Sequence, residues 1–303
     1  MSLRKLSVII PSYNSYGTLT RTVESVLSQP KSYLEEIIIV DSSDDGRTAE
    51  LLASFQSPLV RVIRLDQKTM PAIGRNLGAA QAKGDILAFI DSDAYAAEDW
   101  AEKIERAVDQ GCLVGGGPIL LPPGQRTHRI ALAQYFLQFN EFMGASKRKV
   151  VDFSPSCNLF CEKELFKRIG GFPEIRASED VLFGFRANRD APYFFDPAIR
   201  VFHIFSMDPK RLHSNQKLLG AYVLYYRRER YRRWYYGGPW PAILLPVFLM
   251  VKFMRISGRI LRSGPSWARA AFLWTLPTFL SGLLSWGAGF LEACRKKERL
   301  DLS

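Results

Sequence analysis

Between residues 6 and 110, short apolar runs alternate with segments whose apolar positions fall three and four apart. The runs at 6–10, 37–40, 60–65 and 86–90 predict strands. The segments 17–28 (Leu19, Val23, Val26, Leu27), 48–55, 72–82 and 97–108 predict helices. Strands that are apolar on both faces and alternate with helices predict a mostly parallel sheet covered on both sides. In such sheets ligands bind beyond the carboxyl ends of the strands. Past Gly115-Gly-Gly-Pro118 the rhythm loosens. There we expect a helix over 129–142, a strand over 150–160, helices over 163–169 and 179–188, and helix throughout from Asp208 onward.

Charge divides the chain unevenly. Residues 207–303 hold 17 Lys/Arg against 5 Asp/Glu, whereas residues 1–206 hold 24 against 25. A near-neutral body followed by a basic, apolar tail points to a membrane surface more than to nucleic acid. With 47% hydrophobic and 23% charged residues the chain is neither disordered nor collagen-like. Cys112, Cys157, Cys161 and Cys294 form no CxxC pair and no zinc spacing, and read as free thiols in a reducing compartment. The apolar run before Pro11 is too short for a signal-peptide core, so the first domain is expected to stay in the cytoplasm.

Candidate chemistry lies just past the strands. Asp91-Ser-Asp93 follows the run 86–90. If extended there, the two carboxylates share one face, and two hard oxygens at one point suit Mg²⁺ or Mn²⁺. Pro11-Ser-Tyr13-Asn14 follows the first strand and Asp41 the second. Tyr13 could stack on a base, and Asp41 could accept from its N–H. Asp44 or Asp45 reads as the cap of the next helix. Glu179-Asp180 opens a helix, where a carboxylate serves equally as cap or as general base. The metal pair favours Asp180 as a base.

Taken in order, Pro11-Ser-Tyr-Asn14, Ile39-Val-Asp41-Ser-Ser-Asp44-Asp-Gly46, Gly74-Arg75-Asn76-Leu-Gly78, Phe89-Ile-Asp91-Ser-Asp93, Cys157-Asn-Leu-Phe160, Gly170-Gly-Phe172 and Glu179-Asp180 resemble a family 2 glycosyltransferase over about residues 6–205. The resemblance implies a GT-A fold, which is Rossmann-like α/β with a mixed, mostly parallel sheet and helices on both faces. It also implies a nucleotide-sugar donor, usually a uridine diphosphate sugar, and an inverting transfer. By position, Pro11, Tyr13, Asn14 and Asp41 would hold the nucleoside, and Arg75 and Glu179 would lie near the donor. Asp91 would lie near the ribose, Asp93 would bind the metal between the phosphates, and Asp180 would be the base. His203 is expected either as a third metal ligand or as a half-buried strand histidine with a backbone partner. We expect 1–110 to be the nucleotide-sugar half, 111–206 the acceptor half and 207–303 a helical, membrane-associated region.

In that last region, residues 227–236 mix five Arg with four aromatics, a pattern that suits a nucleic-acid patch or a lipid interface. The apolar stretch 241–251 that follows favours lipid. Residues 230–234 resemble the QxxRW box of processive members, but Arg230 stands in place of Gln, which argues against processive polymerisation. Lys252, Arg255, Arg259 and Arg262 are spaced as one basic helix face, opposite Phe253 and Ile260. Residues 271–291 carry no charge and are long enough to span, although Pro277, Gly282, Gly287 and Gly289 suggest a broken or re-entrant segment. Basic clusters on both sides, including 295–299, predict no net crossing.

The leading expectation is therefore a metal-dependent, membrane-associated glycosyltransferase on the cytoplasmic face of the inner membrane. Its acceptor would be a lipid or lipid-linked saccharide of the cell envelope, with no nucleic-acid partner. A polyprenyl-phosphate sugar synthase and an inactive membrane-bound binding protein are the alternatives, with an Arg-rich nucleic-acid binder behind them. Acceptor choice would lie in residues 112–160.

Overall fold

A computed structural model describes residues 4–144, 147–231 and 233–295. Its strands in chain order are β1 (Leu6–Ser12), β2 (Leu34–Asp41), β3 (Val60–Arg64), β4 (Ile86–Phe89), β5 (Ala94–Ala96), β6 (Val114–Gly116), β7 (Ile119–Leu120), β8 (Lys149–Val150), β9 (Leu159–Glu162), β10 (Tyr193–Phe195) and β11 (Val201–His203). Its helices are α1 (Leu19–Leu27), α2 (Gly46–Ser54), α3 (Pro71–Gln81), α4 (Trp100–Asp109), α5 (Arg129–Phe139), α6 (Lys163–Ile169), α7 (Glu179–Asp190), α8 (Pro209–Tyr231), α9 (Trp240–Ile243), α10 (Leu245–Ser263) and α11 (Ser266–Arg295). Two compact units result, one of residues 1–120 and 144–204, the other of residues 121–143 and 205–303. Helix α5 thus groups with the C-terminal helices.

The first unit is built on a mixed eight-stranded sheet in the order β3-β2-β1-β4-β9-β6-β10-β8. β1 runs parallel to both β2 and β4. In their register Ser12 lies opposite Asp41, so β1 and β2 end level, and Phe89 lies opposite Ile9, so β4 ends three residues earlier and the chain runs on into Asp91 and Asp93 at the same edge. Ile9, Ile38, Leu87, Phe89 and Leu159 are fully or almost fully buried within one core cluster. Each such aliphatic or aromatic side chain contributes about 1.5–3 kcal/mol on burial. β9 enters antiparallel between β4 and β6, which makes the sheet mixed. Helix α3 packs tightly on β1, because a Cβ at Gly78 would come within 2.6 Å of the Ile9 side chain. Pro71 opens this helix, where its missing N–H costs nothing.

Two sequence expectations change here. The strand expected over 150–160 is instead β8, a bend, a 3₁₀ turn at Ser156–Asn158, and then β9. Pro155 has no N–H for a ladder, and Asn158 is fully buried. Its amide accepts from Trp100 Nε1 at 3.0 Å and donates to the carbonyls of Pro118 and Ile199 at 3.1 and 2.9 Å. The second change is a small sheet, β5-β11-β7, that no periodicity announced. β11 is antiparallel to β5, with His203 opposite Ala94.

The second unit is helical. Phe136, Phe272 and Phe279 form part of one buried cluster, and Leu224, Trp286 and Phe290 part of another. α11 is one continuous helix through Pro277, not a broken or re-entrant one. Its glycines serve packing: a Cβ at Gly289 would sit 1.8 Å from the Lys217 carbonyl of α8. Among the described residues no helix is long and apolar enough to cross a membrane. That corrects the expectation that 271–291 could span, because Thr, Ser, Gly, Trp and Pro dilute its aliphatic residues. Residues 296–299 of the last basic cluster, and Arg232 of the Arg-rich segment, lie outside the described residues.

Candidate active site

The carboxyl ends of β1, β2 and β4 open onto a cleft of about 210 Å³. Pro11, Ser12, Tyr13, Val40, Ser42, Arg75, Asp91 and Asp93 line it together with the loop before α3, residues 69–71. Ser12 Oγ, buried in this lining, has no hydrogen-bond partner among the described residues.

Asp91 and Asp93 do converge, but not through an extended segment. The Ala94 N–H donates to the Asp91 carbonyl at 3.0 Å, so the two carboxylates meet across a turn between β4 and β5. β11 then brings in the third group. The Ile204 N–H donates to the Asp93 carbonyl at 2.7 Å, and His203 Nε2 lies 3.5 Å from Asp93 Oδ1. One ligand atom from each of Asp91, Asp93 and His203 falls within 4.8 Å of the others. Two carboxylate oxygens and one imidazole nitrogen, partly open to solvent, form a donor set that a divalent ion such as Mn²⁺ accepts. Of the two roles expected for His203, the strand position and the proximity to the acidic pair are thus both present.

Behind this group lies a buried charge cluster. Arg75 donates from Nη1 to Glu179 at 2.8 Å and from Nη2 to Asp91 at 2.5 Å. Burial works against the guanidinium charge, but Asp91 and Glu179 outweigh it and hold the arginine ionised. Burial pushes the Glu179 carboxyl upward despite Arg75. Asp180 is the more telling case. Burial first, and the Glu179 charge second, push it up to about 7. The Val181 N–H donates to its Oδ1 at 2.8 Å and the Ser156 N–H to its Oδ2 at 3.3 Å. Asp180 therefore does some of the work of a cap. The residue before the helix, Ser178, supplies no side-chain bond and sits in the left-handed region at φ 66°. Burial, followed by the charges of Asp91, Asp93 and Asp180, pushes the Cys157 thiol well up.

Other expected residues spend their polar atoms inside the protein. Asp41 is fully buried, accepting from Ser43 Oγ at 2.6 Å and from Arg64, and it does not line the cleft. Asn14, at φ 51°, exchanges bonds with Asp44, and Tyr13 donates to the same carboxylate at 3.0 Å. The N-cap of α2 is Asp45, which accepts from the Thr48 N–H. Sequence reasoning passed over Lys68, whose ammonium stands 4.0 Å over the Tyr13 ring, and the Thr69-Met70 wall. Pro71 was the available signal: a helix starting there puts 68–70 at the carboxyl edge of the sheet.

A Rossmann-like half carrying an Asp-x-Asp turn, continued by an antiparallel strand into a second half, is the GT-A architecture. The family model described as Glycosyl transferase family 2 matches residues 7–170, and the chain belongs to that family. Glycosyltransferase AglE of Haloferax volcanii is 31% identical over 176 residues, covering 55% of this chain and 56% of AglE. The chain spans 20% and 43% of two other curated relatives that it matches. Among solved structures, the mannosyltransferase PcManGT of Pyrobaculum calidifontis, in complex with GDP-Man and Mn²⁺, superposes with a TM-score of 0.64 at 17% identity. That match covers 97% of this chain and 88% of PcManGT. S. aureus TarS (residues 1–349) in complex with UDP-GlcNAc gives a TM-score of 0.54 at 17% identity, covering 94% and 90%.

Proposed function

We propose that the protein is an inverting, metal-dependent glycosyltransferase. It would move a sugar from a nucleoside diphosphate sugar to a lipid or lipid-linked acceptor in envelope glycan synthesis. The observation that carries this reading is the meeting of His203 with the cleft-lining pair Asp91 and Asp93, together with an Asp180 carboxyl pushed up to about 7 in the charge cluster around Arg75. Asp93 and His203, with the free oxygen of Asp91, would hold the metal, which when bound neutralises charge on the diphosphate leaving group. Tyr13, beside Pro11, offers the base the ring face opposite Lys68, and Ser12 Oγ offers an unused hydrogen-bonding group. Arg75 fixes Asp91 and Glu179. Asp180 removes the acceptor hydroxyl proton, and in-line attack from the face opposite the diphosphate inverts the anomeric carbon, so no covalent enzyme nucleophile is needed. A uridine diphosphate sugar is the first donor to try, since TarS was solved with UDP-GlcNAc.

Membrane attachment on the cytoplasmic face belongs to the same reading. The second unit is strongly basic and leaves Trp234, Trp240, Ile243 and Leu284 exposed, a composition suited to the lipid interface. Release of nucleoside diphosphate from a panel of UDP- and GDP-sugars, with membrane lipid extract as acceptor source, tests the proposal. We expect release from one donor, dependent on the extract, and lowered about 10²- to 10⁴-fold in Asp180→Asn. Release without any need for lipid would remove the lipid acceptor. No release from any donor would remove the transferase.

A further inference from the structure

Helix α10 has three faces, where the sequence spacing distinguished two. Leu249, Phe253, Ile256 and Ile260 turn into the core of the second unit. Lys252, Arg255, Arg259 and Arg262 form the basic face. Between them, on the remaining side, Val247, Met250, Val251, Met254 and Leu261 are 46–54% exposed. A soluble helix ordinarily has no reason to present such a stripe to water, and here it runs directly beside the basic face.

The basic face is crowded with like charge. Lys252 is half-buried, its ammonium 4.8 Å from the centroid of the Trp286 ring on α11. The charges acting on it are Arg255 and Arg259 on its own helix, Arg227 on α8, and Glu141 after α5. Glu141 is already engaged, since Arg259 Nη1 reaches it at 2.5 Å and donates also to Asn140 at 2.8 Å. Arg227 lies against the ring of Tyr236, hydrogen-bonds to the Tyr226 hydroxyl and meets no carboxylate among the described residues there. Among the described residues, no carboxylate lies within ion-pair distance of Lys252, Arg227 or Arg255. Burial, and then the neighbouring arginines, push the Lys252 ammonium down to about 7. The described residues thus leave this group poorly compensated. A phosphate oxygen among the three cations would supply the missing counter-charge through charge-assisted hydrogen bonds.

We propose that Lys252, Arg227 and Arg255 receive the phosphate of an anionic lipid at a bilayer surface, with the exposed stripe of α10 entering the headgroup region beside it. The occupant is a lipid phosphate and not a free one, because the apolar stripe adjoining the cations has use only for acyl chains. Lys and Arg stems would lie along the apolar surface with their charges at headgroup level. This deepens the membrane part of the proposed function and rests on it.

The test is co-sedimentation of the full chain with vesicles of phosphatidylcholine alone and of phosphatidylcholine mixed with phosphatidylglycerol. The expected result is firm binding to the mixed vesicles and weak binding to the neutral ones. The triple variant Lys252→Met/Arg227→Gln/Arg255→Gln should bind mixed vesicles about a hundredfold less well, from about a fivefold loss per cation. Arg255→Gln, an exposed position, gives a readable fivefold loss even if the triple variant folds poorly. Met250→Ser/Met254→Ser should weaken binding to mixed vesicles as well. Unchanged binding of the charge variants would overturn the proposal. Inorganic phosphate that displaces mixed vesicles at matched phosphate concentration would also overturn it, in favour of a free-anion site. Nucleotide titration of the same preparations separates the two readings. Nucleotide binding without vesicle binding sinks this inference alone, and vesicle binding without nucleotide binding sinks the transferase alone.

Discussion

Each unit of this protein gathers one sign of charge beyond what it balances. In the first, Asp91, Glu179 and Asp180 collect around a buried arginine, Arg75, with Asp93 beside Asp91. In the second, Lys252, Arg227, Arg255 and Arg259 collect near one carboxylate among the described residues, Glu141. The electrostatic cost is of the same kind and the sign is opposite. Asp180 is pushed up to about 7 and Lys252 is pushed down to about 7, in both cases by burial first and by like charges next. An uncompensated cluster of one sign suits a ligand of the other. The first then calls for a cation, and the second for an anion. What differs is access: the acidic cluster stands at the converging ends of three strands, whereas the basic one flanks an exposed apolar helix face.

Removing the lone counter-charge tests this difference most severely. Arg75→Ala leaves Glu179 buried and Asp91 half-buried without their common partner and should cost about 3 kcal/mol of stability, read from urea unfolding. Lys252→Met takes away a member of the majority charge instead. Its stability should be unchanged or higher, and a loss comparable to that of Arg75→Ala would erase the contrast.

The pH responses should also run in opposite directions. Asp180 works as a base only when deprotonated, so turnover should fall about tenfold per unit as pH drops below about 7. Lys252 gains its proton over the same range, so affinity for anionic vesicles should rise as turnover falls. Parallel trends would refute the pairing. The smallest expected effect is a control. Glu164 and Lys167 form a solvent-exposed i,i+3 pair at 2.7 Å, and Glu164→Ala should leave the urea unfolding midpoint unchanged.

Much of the first unit was legible because its chemistry is local. A run of apolar residues followed at once by Asp91 and Asp93 announces a strand end with an acidic pair, and the carboxyl ends of β1, β2 and β4 do face one edge of the sheet. The route to the pair was misjudged, because Ser92 closes a turn that strand spacing does not show. His203 was reachable only as one of two roles, since its place beside Asp93 depends on pairing between β5 and β11, more than a hundred residues apart. The charge state of Asp180 depends on Arg75, Glu179 and the Ser156 amide, none of which spacing can place. In the second unit the basic face of α10 was legible as a periodicity. Its third, apolar face was not, because only packing tells which aliphatic residues of an apolar helix remain uncovered. The continuity of α11 was hidden for a related reason. Glycine reads as a breaker in sequence, but at Gly289 it admits the backbone of α8.

Calorimetric titration with a panel of nucleoside diphosphates, with and without Mn²⁺, in the wild type and in Asp93→Ala, tests the central claim most directly. The account predicts that one nucleotide binds only with the metal and that the variant loses this binding. Nucleotide binding that is indifferent to both the metal and Asp93, or absent from well-folded protein, would contradict it.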